Sequence, residues 1–203
     1  MDEISVVRPP VAWCLSLELR RSASVEQRTQ LLHAIAGGRG DAFLPARNAV
    51  QAGSHRVLWD GPHRWLVWGG EASGAESALQ RIRAACGSMA SVTDVSHGWS
   101  RFRIGGPAAV RLLAKGCDLD LGTQDGAGTA PVWRTRFAEV PAVLWRNESD
   151  GFHELLVARS YSAWIADWLD DACIEFRMCA TADAAGEGFT QRPSAAHGER
   201  DDR

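Results

Sequence analysis

Hydrophobic positions along this chain switch period repeatedly between two and about 3.6, and the switches fall at clusters of glycine, proline and serine. Val11, Trp13, Leu15 and Leu17 alternate, which predicts a strand over residues 11–19. Ser22 or Ser24 then caps a helix running through Ile35 and closed by Gly37 and Gly38. Residues 38–53 carry little pattern and read as a loop with one short turn. Two strands, 55–59 and 64–68, flank Asp60-Gly61-Pro62-His63 as a hairpin. The glycine-rich run from Gly69 to Gly74 breaks the chain before a helix over 75–86, whose stripe is Ala78, Leu79, Ile82, Ala85 and Cys86.

The segment from 91 to 121 is the densest in signals. It reads as a strand over 91–95, a polar bend at Ser96-His97-Gly98 and a strand over 99–104. Gly105 and Gly106 end that strand, Pro107 suits the first turn of a helix, and Gly116 stops the helix. A glycine-rich stretch, 122–130, leads to three further strands over 131–140, 141–146 and 151–157, with a hairpin turn at 147–151. Ser160 then caps a helix in which Trp164, Ile165, Trp168, Leu169, Ala172 and Cys173 share a face, and residues 174–178 read as a last strand.

From Ala180 onward the residues are small, polar and charged, which predicts a loose tail over 180–203. The pattern divides the chain into a first β-α half over 1–121, a glycine-rich connection over 122–130 and a second β-rich half over 131–179. Strand-rich halves interrupted by helices, without regular β-α alternation, predict an α+β fold of antiparallel sheets.

Composition narrows the function. With 203 residues and 45% apolar content the chain can bury a sizeable core. A net charge of -3, from 22 basic and 25 acidic residues, argues against nucleic acid or an anionic membrane as the main partner. Cys14, Cys86, Cys117, Cys173 and Cys179 are odd in number and widely spread, which is no disulfide framework. No apolar run approaches the roughly 20 residues of a membrane span, and the acidic N-terminus lacks a leader pattern, so the cytoplasm is the expected compartment. Nine tryptophans against one tyrosine predict rings mostly in the core, with a surplus suited to a protein interface.

The tightest polar cluster is Asp94, Ser96, His97, Ser100 and Arg101. Adjacent residues of a strand point to opposite faces and no Gly-x-Ser-x-Gly elbow is present, so Asp94 and Ser96 are expected to bond backbone groups at the bend. The six histidines show no paired-ligand spacing, and no phosphate-cradling glycine motif occurs. Lys115, the only lysine, reads as a charge at the negative end of a helix dipole.

Three blocks in order carry a family resemblance. Asp94-Val-Ser-His-Gly98, with the following strand and Gly105-Gly-Pro-Ala-Ala-Val-Arg-Leu-Leu-Ala-Lys-Gly-Cys117, resembles the gamma subunit of heterotetrameric sarcosine oxidase. So do Trp59-Asp-Gly-Pro62 leading into Trp65-Leu66-Val67, and Phe152 to Tyr161 ahead of a tryptophan-rich helix. The resemblance runs from about Val57 to Leu169. It implies the folate-binding fold of the glycine cleavage T-protein, built from two related halves, although no internal sequence repeat is evident.

The resemblance also implies a complex of alpha, beta, gamma and delta subunits, an oxidoreductase that demethylates sarcosine to glycine and passes the one-carbon unit to tetrahydrofolate. FAD, covalent FMN, NAD, tetrahydrofolate and zinc are expected on the partner subunits, with no catalytic, cofactor-binding or metal residue on this chain. Asp94, His97, Arg101, Lys115, Cys117, Trp59, Trp65, Arg159 and Tyr161 are its candidate interface or structural residues. N-methylglutamate dehydrogenases carry a similar small subunit. A stand-alone folate-binding or one-carbon transferase domain is the alternative, and an assembly factor with a reactive Cys117 is a third reading.

Overall fold

The computed structural model describes residues 4–11, 13–35, 48–52, 55–69, 75–121 and 130–176. The glycine stop at 37 and 38, most of the 38–53 loop, the 122–129 connection and the tail from 180 lie outside them.

All strand pairing among the described residues is antiparallel. The chain order is β1 (Ser5–Val7), β2 (Trp13–Leu19), α1 (Val25–Ile35), β3 (Asn48–Ala52), β4 (His55–Gly61), β5 (Arg64–Gly69), α2 (Ala75–Cys86), β6 (Ala90–Asp94), β7 (Trp99–Gly105), α3 (Ala109–Gly116), β8 (Ala130–Phe137), β9 (Val140–Arg146), β10 (His153–Ala158) and α4 (Ser162–Cys173). Among the described residues the strands form one ten-stranded sheet in the order β1-β7-β10-β9-β8-β3-β4-β5-β2-β6.

That order reads as two copies of one motif. Each half has a strand, a helix, three strands running outward from the centre of the sheet, and a second helix. The strand after the second helix of the first half, β6, pairs with β2 at one edge; the corresponding place beside β7 is filled by β1, from the other end of the chain. The sheet therefore does not divide at residue 121. β7 and α3 precede that point, yet β7 pairs with β10 and α3 packs with α4. The repeat is invisible in sequence because similar triplets face opposite ways: Val57 of Val57-Leu58-Trp59 and Leu144 of Val143-Leu144-Trp145 each point toward their own helical layer.

Among the described residues two pairs, Asn48 with Pro131 and Ala49 with Ala130, join the half-sheets edge to edge. β7 and β5 stand second and eighth in the order, about 29 Å apart in a flat sheet at ~4.8 Å per strand. The Arg101 guanidinium nevertheless lies 5.4 Å from the centroid of the Trp68 ring. The sheet folds back on itself, giving layers of helices, half-sheet, half-sheet and helices. Three cores follow. Leu15, Leu17, Val57, Val67 and Ile82 fill the layer under α1 and α2, and Phe102, Ile104, Leu112, Leu155 and Ile165 fill that under α3 and α4. Cys14, Leu58, Leu66, Val143, Trp145 and Leu156 meet between the half-sheets.

Local chemistry explains where the elements begin and end. Ser24 and Gln27 exchange side-chain and backbone hydrogen bonds (3.2 and 2.9 Å) in a capping box at the start of α1. Four sequence expectations are corrected. Ser160 does not cap α4, since a 3-10 turn at Arg159–Tyr161 leads into the helix and Tyr161 occupies the cap without a side-chain bond. Residues 174–176 are not a strand: Ile174 stays helical (φ -54, ψ -42) and a 3-10 turn, Ile174–Phe176, buries Phe176. β3 lies within the expected loop. Finally, the strand expected over 131–140 ends at Phe137, because Ala138 and Glu139 both take positive φ (46° and 69°). This is the turn geometry that suits a twisted hairpin, here without the usual Asn-Gly signal.

Candidate functional site

The distinctive chemistry lies between the half-sheets. The β7–β10 register sets Arg101 opposite Leu156 and Arg103 opposite Glu154, so both arginines lie on the face of Glu154. Glu154 is 1% exposed and accepts two 2.8 Å bonds from Arg101 and one of 3.1 Å from Arg103 Nε. Arg103 also reaches Asp150 at 2.5 Å and stacks over Phe152. Across the layer, Arg56 donates to Asn147 Oδ1 at 2.9 Å. Burial lowers the proton affinity of Arg56, partly offset by Glu154 and Asp150.

A second ion cluster ties β4 to β8. Buried Asp60 pairs with Arg64 at 2.5 Å and with Arg134. Beside it, Ser16, Leu66, Val95 and Trp99 help line a cleft of about 210 Å³. That is below the ~300–1,000 Å³ of typical ligand pockets, and its buried carboxylate is already committed to two arginines.

The expected site residues fall in several separate places, although Trp59 faces Trp65 across the β4–β5 hairpin. Asp94 ends β6, and its carboxylate accepts from the Ser96 hydroxyl (2.6 Å) and amide (2.9 Å). Those bonds hold its carboxyl below the usual range. The Ser96 hydroxyl in turn accepts from Cys14 N at 2.9 Å, so the polar bend stitches the end of β6 to β2. His97 is exposed in the same turn. Arg101 joins the Glu154 cluster. Lys115 pairs with Glu175 at 2.7 Å and lies 5.2 Å from the Phe176 centroid. Cys117 is buried, its thiol 3.5 Å from Leu113 O. Trp65 is buried with its indole N–H unpartnered, and Trp59 is half-buried against the same core. Arg159 and Tyr161 are exposed in the turn before α4. Trp164, expected on the core face of α4, is 54% exposed and donates its indole N–H to Ala138 O at 2.9 Å.

Sequence reasoning missed Glu154, Arg103, Arg134 and the role of Asp60. The available signal was a carboxylate inside the otherwise apolar run His153-Glu154-Leu155-Leu156-Val157-Ala158, together with Arg101 and Arg103 two apart on another strand.

Burial also controls the titratable groups. It pushes the thiols of Cys14 up to about 12 and of Cys86 and Cys173 up to about 11, and raises Cys117 too. We expect a Cys179→Ser variant to show no thiol reactive toward Ellman's reagent at pH 8 until it is unfolded, when all four appear. Rapid native labelling of Cys117 would contradict this and favour the assembly-factor reading.

His153 is buried with Nδ1 unpartnered. Burial, with a smaller effect from Arg146, takes its pKa from 6.5 to about 4. Between those values the unfolded chain binds a proton that the folded chain does not. Stability should therefore fall as pH drops from ~6.5 to ~4, by up to about 3 kcal/mol from this group. Urea titrations should show that His153→Phe removes this part of the slope; an unchanged slope would exclude His153 as its source.

Among the described residues no group of three or more His, Cys, Asp or Glu could hold a metal ion, and no helix is long and apolar enough to cross a membrane. The paired half-sheets with helices on their outer faces define a protein of the aminomethyltransferase-like, folate-binding fold class. A glycine cleavage aminomethyltransferase T from Bartonella henselae matches with a TM-score of 0.60 at 12% identity, over 87% of this chain and 47% of that one. The chain belongs to the sarcosine oxidase, gamma subunit family, which matches residues 31–175.

It is 34% identical over 136 residues to a sarcosine oxidase subunit gamma from Corynebacterium sp. (strain P-1), a match spanning 66% of this chain and 65% of that relative. It also matches a chain of the heterotetrameric sarcosine oxidase from Corynebacterium sp. U-96, solved in complex with pyrrole 2-carboxylate. The TM-score is 0.68 at 27% identity, covering 90% of this chain and 88% of that one.

Proposed function

We propose that this chain is a structural subunit of a heterotetrameric sarcosine oxidase, holding larger, cofactor-carrying subunits in place. The observation that carries the reading is the match over 90% of this chain to a chain of such a heterotetramer. Local chemistry agrees with it: the reactive residue types flagged by sequence are in structural use, Asp94 and Ser96 in a bend, Lys115 with Glu175 and Arg101 with Glu154.

In this reading the partners are the alpha, beta and delta subunits. The complex demethylates sarcosine to glycine and delivers the one-carbon unit to tetrahydrofolate, while FAD, FMN, NAD, tetrahydrofolate and zinc reside on those subunits. The chain acts in the cytoplasm and contributes contact surface. The test is calorimetric titration of the isolated chain with tetrahydrofolate, alongside an assay of sarcosine oxidation. Neither saturable binding nor turnover is expected; saturable binding would favour a stand-alone one-carbon domain, and turnover by the chain alone would overturn the reading.

A further inference from the structure

Among the described residues the large apolar side chains left exposed are Val25, Tyr161, Trp164 and Ile174, and the last three belong to α4 and its flanking turns. Trp164, Asp167, Asp171 and Ile174 follow one another at spacings of three, four and three residues, so they form one stripe. It lies opposite Ile165, Leu169 and Ala172, which face the core.

Two features indicate that this stripe is prepared for a partner. The indole of Trp164 is anchored on Ala138 O at the turn where two non-glycine residues adopt positive φ, and the amide of Ala138 is held by Gly116 O at 2.8 Å. Such a turn persists only where its surroundings fix it, and a ring fixed beforehand loses little entropy on docking. Charge supplies the second feature. Asp170 and Asp171 occupy the C-terminal end of α4 with no basic residue in the last turn, against the helix dipole. Burial and, to a lesser degree, the neighbouring Asp167 raise the pKa of Asp170. A cationic surface laid over the stripe would turn this repulsion into attraction.

We infer that the outer face of α4 docks a partner subunit presenting an apolar pocket rimmed by arginine or lysine, with Trp164 seated in the pocket and Asp167 and Asp171 facing the cations. The inference rests on the subunit reading and names the surface and the partner's chemistry. Aromatic anchors in desolvated pockets dominate interface energetics, and the acidic rim makes binding sensitive to salt.

The test is assembly of the full complex, with affinity-tagged larger subunits and the wild-type chain, Trp164→Ala, Asp167→Lys/Asp171→Lys, and Arg81→Glu on the outer side of α2 as control. We expect each stripe variant to weaken retention at least tenfold, the control to match wild type, and salt to loosen the wild-type complex more than the charge-reversed one. Melting curves of the isolated chains separate lost docking from unfolding, and the charge reversal leaves the Trp164 anchor intact. If wild type assembles and a folded charge-reversed chain assembles equally well, the docking surface is elsewhere. If wild type itself does not assemble, the subunit reading fails and takes this inference with it. If the isolated chain dimerises through the stripe in sedimentation, the occupant is a second copy and the partner assignment is wrong.

Discussion

Replacing Glu154 with alanine is expected to destabilise the isolated chain by about 3–5 kcal/mol, the scale for breaking a buried ion pair from one side. Glu154 is 1% exposed and is the carboxylate on which Arg101 and Arg103 converge. Without it, two guanidinium groups remain beside Arg56 in the layer between the half-sheets, and the charge there is far less compensated. The loss should be read as a fall in the urea midpoint with little change in slope. Glutamine should cost less than alanine, because it keeps an acceptor for one arginine. An alanine variant with a wild-type midpoint would mean that the cluster is solvated in solution and does not hold the half-sheets together.

Phe137→Ala should cost a similar amount, about 3–5 kcal/mol, for a different reason. Phe137 is fully buried where β8, α3 and α4 meet, packing edge-on against Trp168 with ring centroids 5.0 Å apart. A methyl added at Gly116 would come within 2.5 Å of the Phe137 ring, so α3 approaches β8 closely only because residue 116 has no side chain. The two sites are therefore coupled: Gly116→Ala should be harmful in wild type and much less so beside Phe137→Ala. Thermal unfolding of the four proteins in a double-mutant cycle measures this, and additive effects would contradict the packing described.

Much of the fold can be read from the pattern of apolar positions. The capping box at Ser24 and Gln27 and the hairpin around Pro62 and His63 carry local signals that survive folding unchanged. The α2 stripe is equally plain, with Ala78, Leu79, Ile82 and Cys86 buried as expected. β3 was obscured because Asn48-Ala-Val-Gln-Ala52 is short and weakly patterned, and its strand state depends on partners β4 and β8. The Ala138-Glu139 turn was hidden because its left-handed backbone is imposed by α3 and α4 rather than by glycine. Candidate chemistry divides along the same line. The Asp94 and Ser96 bend is local and legible, whereas Glu154 gains its meaning from two arginines some fifty residues earlier, brought to it by register. Trp164 misleads because hydrophobic periodicity alone does not separate a buried ring from one left more than half exposed.

The most direct test of the central claim is native mass spectrometry of the chain co-expressed with its genomic neighbours, after purification through a tag on this chain alone. A yellow complex holding one copy of this chain with larger flavin-bearing subunits is the expected result. A colourless, well-folded chain that leaves the column alone, while a flavin oxidase assembles fully without it, would contradict the account.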